Sequence, residues 1–501
     1  MGVATLTAIV VGIVQYRHGV VHLLDTVTYW SGIDAISRGD LFRTGLAPSF
    51  SNFSAAEFAG RGGDLPFVDF PIGYPLVAGV IAWFTDARRA MEIVCLVSLA
   101  AVAGLTVGID RRYGSTRAWS LAAFAALVTT TPSMRLVTQG ALSEPLFCAV
   151  AVALVAGLAH HRNGGPFTPV AILASLIGLL RFIGAPLALV AGWEMWRRTG
   201  DRARSAVVTL LMLVPAAANI VLARLTGGGH GAGWRGLDRK DLEITVRSIG
   251  GWFDARQGDI RRTYFTEDGP AWWSWPMALL WLALVGFAVV VFLAAPFHRL
   301  RRATMVLSVP SEIALVCAGV IWAGLVAGMA GFDALVIADN RLMLPVGLLT
   351  LLALVWSIRN RWVLVVGVAV FAVAAARPWN AGESFADNTD GDLVSAAALA
   401  TGSSLVISNN ADAVHWDTGL PSAYVPLPVK PLTGEPVDVE YEYAALPCAL
   451  WRADGVVVLS DRATFSAARV DLLDLEAEAG RLAVQQYDGA VAYFPTESAC
   501  D

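Results

Sequence analysis

Apolar residues in this chain gather into long blocks, with basic or polar stretches between them. Residues 92–109, 119–130, 140–159, 275–295, 313–331, 342–356 and 362–375 are such blocks. Several approach the ~20 residues that a helix needs to cross ~30 Å of hydrocarbon, and the shorter ones extend into the interface. Residues 1–16 make a further, thin crossing, unless that helix runs on to His22. The apolar segment 75–84 is too short to cross and predicts a re-entrant or interfacial helix that closes on the following span.

The pattern changes after residue 376. "ARPWNAGESFADNTDGD" is a polar linker. Beyond it "SLVIS", "GVVVLS" and "AVAYFP" read as strands, "RVDLLDLEAEAGRLA" as a helix and "NNADAVHWDTGLPSAYVPLP" as a loop. Strands alternating with helix predict a small α/β domain over 377–501, attached to a helical membrane domain over 1–376. His415 is expected at the surface of the smaller domain.

Composition agrees with a polytopic membrane protein. The 501 residues are 56% hydrophobic and only 15% charged, against about a quarter charged in soluble chains. So many apolar blocks exclude a soluble enzyme behind a signal peptide. Basic clusters at 111–112, 160–162, 197–198, 298–302 and 359–361 each follow an apolar block and mark alternate loops as cytoplasmic. Together these features predict roughly eleven spans in the plasma membrane, with the N-terminus inside and a large first loop and the C-terminal domain outside. The arginines form no stripe interleaved with aromatics, so nucleic acid is not expected as a partner. Cys95, Cys148 and Cys317 lie in apolar blocks as small hydrophobes, whereas Cys448 and Cys500 lie outside and are expected to pair.

Chemistry-bearing residues gather on the predicted outer face. Asp25 in "HLLDTVTYW" ends the first apolar run, with His22 three residues before it and Tyr29 four after, a helical spacing that puts all three on one face. The bland alternative for Asp25 is a helix cap. "FVDFPIGYPL" places Asp69 before a rigid proline-bounded turn. "TPSMRLVTQGALSEPLF" carries Arg135 and Glu144, which could simply pair, while Arg181 and Arg341 stand at two further outer turns. The loop 224–272 adds Arg247, Arg256, Arg261 and Arg262. Carboxylates beside guanidinium groups suit transfer of a sugar from a lipid phosphate: a base activates the acceptor hydroxyl, and cations receive the leaving phosphate.

"DTVTYW" with "RGDLFR", "FVDFPIGYPL", "ALSEPLF", "LLRFIGAPL", "DNRLMLP" and the C-terminal "VISNNADAVHWDTGLPSAYVPLP" together resemble polytopic glycosyltransferases of the GT-C class. That group contains the protein O-mannosyltransferases and the aminoarabinose lipid A transferases. The resemblance implies a polyprenyl-phosphate-sugar donor, an acceptor that is a glycan, lipid or protein, and inverting transfer with Asp25 as base. It further implies Asp69 near the acceptor, Glu144 lining the pocket and Arg341 on the lipid phosphate, with Arg135 and Arg181 in the same cationic role. His22 and Tyr29 would orient Asp25 or pack beside it. Thr26 stands where several members have a second acid, and Ile72 replaces a proline of the usual "FPPGYP", so use of a divalent cation stays open. The arginine-, alanine- and valine-rich usage fits a high-GC bacterium, for which a decaprenyl-phosphate mannose or pentose is the expected donor. Two other readings remain: a transporter or flippase of a lipid-linked sugar, and a non-catalytic glycan-binding assembly protein.

Overall fold

A computed structural model of the chain describes residues 1–16, 20, 24–41, 43–47, 54–67, 70–113, 132–225, 286, 308–331, 340–357, 403–426, 437–460, 469–487 and 489–500. The N-terminal part runs α1 (Gly2–Gln15), α2 (Leu24–Ser37), β1 (Arg43–Thr44), β2 (Leu46–Ala47), α3 (Ala55–Gly60), β3 (Leu65–Pro66), α4 (Gly73–Ala82) and α5 (Ala87–Tyr113). There follow α6 (Pro132–Gln139), α7 (Glu144–Arg162), α8 (Thr168–Leu180), α9 (Leu187–Thr199), α10 (Arg202–Leu225), α11 (Val309–Gly331) and α12 (Asn340–Ser357). The C-terminal part is β4 (Leu405–Ser408), α13 (Ala411–Thr418), β5 (Ser422–Tyr424), α14 (Val439–Ala453), β6 (Gly455–Ser460), α15 (Val470–Glu478), β7 (Leu482–Tyr487) and β8 (Ala490–Pro495).

Two compact units emerge. One comprises Met1–Val20, Glu92–Val221 and Gly233–Trp379; the other comprises Val21–Met91, Leu222–Ala232 and Asn380–Asp501. One division falls between Trp379 and Asn380. The expected division is corrected at the other end of the chain, because residues 21–91 belong with the C-terminal part.

The first unit is helical. Among the described residues, Ala87–Tyr113, Glu144–Arg162, Arg202–Leu222 and Val309–Gly328 are long and apolar enough to cross a membrane. The blocks 119–130, 275–295 and 362–375 lie outside the described residues, apart from residue 286. With 14 residues, α1 is about 21 Å long and falls short of a full crossing. Helix α7 is the packing centre, burying Phe147, Val152, Leu154, Val155 and Leu158 against α8, α11 and α12. Helix α10 instead exposes Val207, Leu210, Leu211, Val214 and Val221, an apolar face suited to lipid.

Three of the basic helix ends meet. Arg112 Nη2 lies 3.1 Å from His160 Nδ1. Arg162, almost buried, pairs with Glu194 of α9 and, at 3.0 Å, with Glu312 of α11, while Arg197 reaches Glu194 at 2.8 Å. Arg198 donates to the carbonyls of His161 and Gly164 at 3.0 and 2.9 Å. The basic clusters at 111–112, 160–162 and 197–198 therefore lie together.

The second unit is built on a six-stranded sheet in the order β2-β5-β4-β6-β8-β7. Strands β2, β5, β4 and β6 are parallel, and β8 and β7 add antiparallel to β6. Both faces are covered, so the central strands read as unbroken apolar runs. One face packs Leu405, Ile407, Val457 and Leu459 against Tyr443, Leu446 and Leu450 of α14 and Leu473 of α15. The other packs Val406, Val456 and Val458 against Val414 of α13.

The first loop completes this fold. Strand β2 forms an edge, with Leu46 opposite Ser422 and Ala47 opposite Ala423. Helix α3, capped by Ser54 accepting from the Glu57 amide at 3.1 Å, inserts the fully buried Phe58 into the sheet core. Two local expectations are corrected here. The stretch taken as a loop contains α13 and β5. The stretch taken as one helix ends at Glu478, since Gly480 turns at φ +76° and releases the chain into strand β7. The disulfide Cys448–Cys500 ties α14 to the C-terminus.

Candidate active site

Asp25 occupies the first turn of α2, where the helix dipole favours a carboxylate. Its side chain is partly exposed, while the next four residues, Thr26 to Tyr29, are buried. The Tyr29 ring stacks within 4.8 Å of Phe70 and edge-on to Tyr74 at 5.0 Å. Burial to 2% exposure makes Tyr29 a packing residue of the loop rather than a group displayed to solvent.

The "FVDFPIGYPL" segment is held against α2 by glycines. A Cβ on Gly32 would meet the Phe67 ring at 2.6 Å, and one on Gly79 would strike Ile36. Phe67 and Phe70, on either side of Asp69, thus pack on α2. Asp69 itself and His22 lie outside the described residues, as do Arg247, Arg256, Arg261 and Arg262.

Helix α13 lies against the same α2. Trp30 makes edge contacts with the His415 ring at 5.1 Å and the Trp416 ring at 5.4 Å. Arg88 stacks 4.1 Å above Trp416 and donates to its carbonyl. His415 is corrected from surface to core, with 4% exposure. Its Nδ1 lies 2.7 Å from the Leu420 carbonyl, which can only accept, so that nitrogen carries the proton. Burial lowers the imidazole to about 4, with Arg38 assisting and the Leu420 carbonyl opposing. His415 is therefore neutral.

Three residues before His415 sits Asp412, 7% exposed. The Tyr424 hydroxyl donates to its Oδ2 at 3.0 Å. Burial raises this carboxyl to about 8; Tyr424 pulls it down and the Asp25 carboxylate pushes it further up. Burial and the lone Tyr424 hydrogen bond leave the Asp412 carboxyl protonated at neutral pH. Sequence reading missed Asp412 because "NNADAVHWD" shows no helical period of apolar residues. The signal available was the aspartate three and four residues before an adjacent His and Trp.

The remaining expected residues belong to the helical unit. Glu144, 1% exposed in the first turn of α7, pairs with Arg181, which follows α8. Glu144 thus finds a partner in Arg181. Arg135 lies on α6 and Arg341 in the first turn of α12, both partly exposed. Among the described residues no group of three or more His, Cys, Asp or Glu side chains could hold a metal ion.

No family model matches the sequence, and no curated protein does. Solved structures do. The crystal structure of ArnT from Cupriavidus metallidurans in the apo state aligns over 98% of this chain and 96% of its own, with TM-score 0.50 and 14% identity. ArnT from the same organism bound to undecaprenyl phosphate aligns over 99% and 98%, with TM-score 0.46 and 15% identity.

Proposed function

We propose, for a chain that has the GT-C membrane fold of ArnT, transfer of a sugar from a polyprenyl-phosphate donor to an acceptor hydroxyl on the extracytoplasmic face. The observation that carries this reading is Asp25: a partly exposed carboxyl in the first turn of α2, followed by four buried residues, Thr26 to Tyr29. A carboxylate there can take the proton of an acceptor hydroxyl that approaches a sugar projecting from the bilayer. Displacement in one step inverts the anomeric carbon. The acceptor oxygen bonds to C1 as the bond to phosphate breaks, Asp25 receives the hydroxyl proton, and polyprenyl phosphate leaves with the electron pair.

Arg341, Arg135 and Arg181 are proposed to stabilise that phosphate, with Asp69 on the acceptor side and Glu144 fixing Arg181. The sugar is a hexose or pentose, and the acceptor an envelope glycan, glycolipid or glycoprotein. The topology proposed is roughly eleven spans with the N-terminus in the cytoplasm and both the first loop and the C-terminal sheet outside. Two observations support it. A first-loop strand hydrogen-bonds into the C-terminal sheet, so those two segments share a side. The Cys448–Cys500 disulfide suits an oxidising compartment.

The test is transfer of radiolabel from a panel of polyprenyl-phosphate sugars to membrane glycan by purified wild type and Asp25→Asn. Transfer by wild type from at least one donor, falling about a hundredfold or more in the variant, is expected. Equal transfer by both proteins removes Asp25 as base. No transfer from any donor, with lipid carried across vesicles instead, makes the chain a flippase.

A further inference from the structure

We propose that the corner between α9 and α10 binds an anionic phospholipid, with its phosphate at Arg204 and Arg202 and its acyl chains along the exposed face of α10. The inference concerns the helical unit alone and is independent of the reading of Asp25.

The corner begins with a sharp turn. Gly200 closes α9 at φ +72°, a conformation that favours glycine. Asp201 then caps α10 by accepting from the Arg204 amide at 2.9 Å. The turn brings Trp193 and Trp196 of α9 to the starting end of α10. Their indoles meet edge-on at 4.6 Å, and the Arg202 guanidinium lies 5.0 Å from the centre of the Trp196 ring. A guanidinium stacked on an aromatic face still directs its edge N–H groups at a phosphate oxygen. Tryptophans at a helix end suit the level where headgroups meet hydrocarbon.

Positive charge at this corner exceeds negative. Arg162 and Arg197 are matched by Glu194 and Glu312, and Arg198 donates to the carbonyls of His161 and Gly164. Arg202 and Arg204 are exposed and form no ion pair among the described residues, with Asp201 the exposed acid beside them. A zwitterionic headgroup brings its own ammonium to such a surface. An anionic one brings only the phosphate charge that the guanidinium groups attract.

The apolar half of the site is the helix face that Arg204 heads. Val207, Leu210, Leu211, Val214 and Val221 are each more than half exposed. At 3.6 residues per turn, these five and Arg204 fall within about 120° of one another around the helix. From Arg204 to Val221 the face runs about 25 Å, whereas one leaflet contributes about half of the ~30 Å hydrocarbon core. A phospholipid held at Arg204 therefore keeps its chains against α10 through its whole leaflet.

The experiment reconstitutes the purified full chain in nanodiscs of equal parts phosphatidylglycerol and phosphatidylcholine. Lipids that stay bound after transfer to detergent are then counted by native mass spectrometry. With a preference of about fivefold for each arginine near an anionic headgroup, wild type should retain phosphatidylglycerol over phosphatidylcholine by roughly twenty-five-fold. Arg204→Gln should retain it by roughly fivefold, and Arg202→Gln with Arg204→Gln should retain both lipids alike. Arg111→Gln with Arg112→Gln, the same change of charge at the end of α5, should keep the wild-type ratio. A photoreactive benzophenone side chain in place of Val214 should capture phosphatidylglycerol, and lose that capture when Arg202 and Arg204 are both glutamine.

Equal retention of the two lipids by wild type overturns the proposal, as does an equal loss in the Arg111 and Arg112 pair, which would make the effect one of overall charge. Photocapture of a second copy of the chain at position 214 also overturns it, by making this face an interface between copies.

Discussion

Two buried groups on the same helix should give α13 an unusual pH response. His415 is held near 4 against its usual 6.5, and Asp412 near 8 against its usual 3.8. When α13 opens and both reach water, the open form binds the extra proton at His415 between about pH 4 and 6.5, so stability rises with pH there, by about 3 kcal/mol. Asp412 has the opposite sign. The closed form holds its proton between about pH 4 and 8 while the open form does not, so stability falls with rising pH, by about 6 kcal/mol. The two slopes cancel up to about pH 6.5, leaving a plateau and then a fall of about 2 kcal/mol to pH 8. Hydrogen exchange of the α13 amides, corrected for intrinsic rate, measures this opening. Asp412→Asn should expose the rising limb alone, and His415→Gln the falling limb alone. A wild type that rises steadily from about pH 4 to 6.5, with the same slope as Asp412→Asn, would refute the buried protonated carboxyl.

Other consequences follow from the shared sheet. Phe58→Ala, a change in the first loop, should destabilise the C-terminal sheet by about 3–5 kcal/mol, read as faster exchange in β4 and β6; unchanged protection there would separate the loop from the sheet. Reducing Cys448–Cys500, or changing both to serine, releases a loop closed over a separation of 52 residues and should cost about 4 kcal/mol by the chain-entropy relation. Urea unfolding followed on α14 tests it, and an unchanged midpoint contradicts it.

Much of this architecture was legible in the sequence because membrane helices and buried strands are written as apolar runs. The blocks at 92–109, 140–159 and 313–331 became α5, α7 and α11, and "SLVIS", "GVVVLS" and "AVAYFP" became β4, β6 and β8. What escaped was pairing across sequence distance. Leu46 and Ala47 form a strand of two residues, too short for any period, and only Ser422 and Ala423 across the ladder define it. The same holds for the site. Asp25 stood out at the end of an apolar run, whereas Asp412 acquires meaning only once Tyr424 of β5 lies against it. Glu144 was marked as costly in an apolar setting, but its partner lies beyond a whole helix, at Arg181.

The central claim is that Asp25 takes the acceptor's proton during sugar transfer. Its most direct test is release of free polyprenyl phosphate from the donor that wild type uses, followed in wild type and Asp25→Asn at matched lipid occupancy. Release that depends on acceptor in wild type and falls about a hundredfold in a variant that still binds the donor is the predicted result. Equal release by both proteins, with donor bound equally, would contradict it.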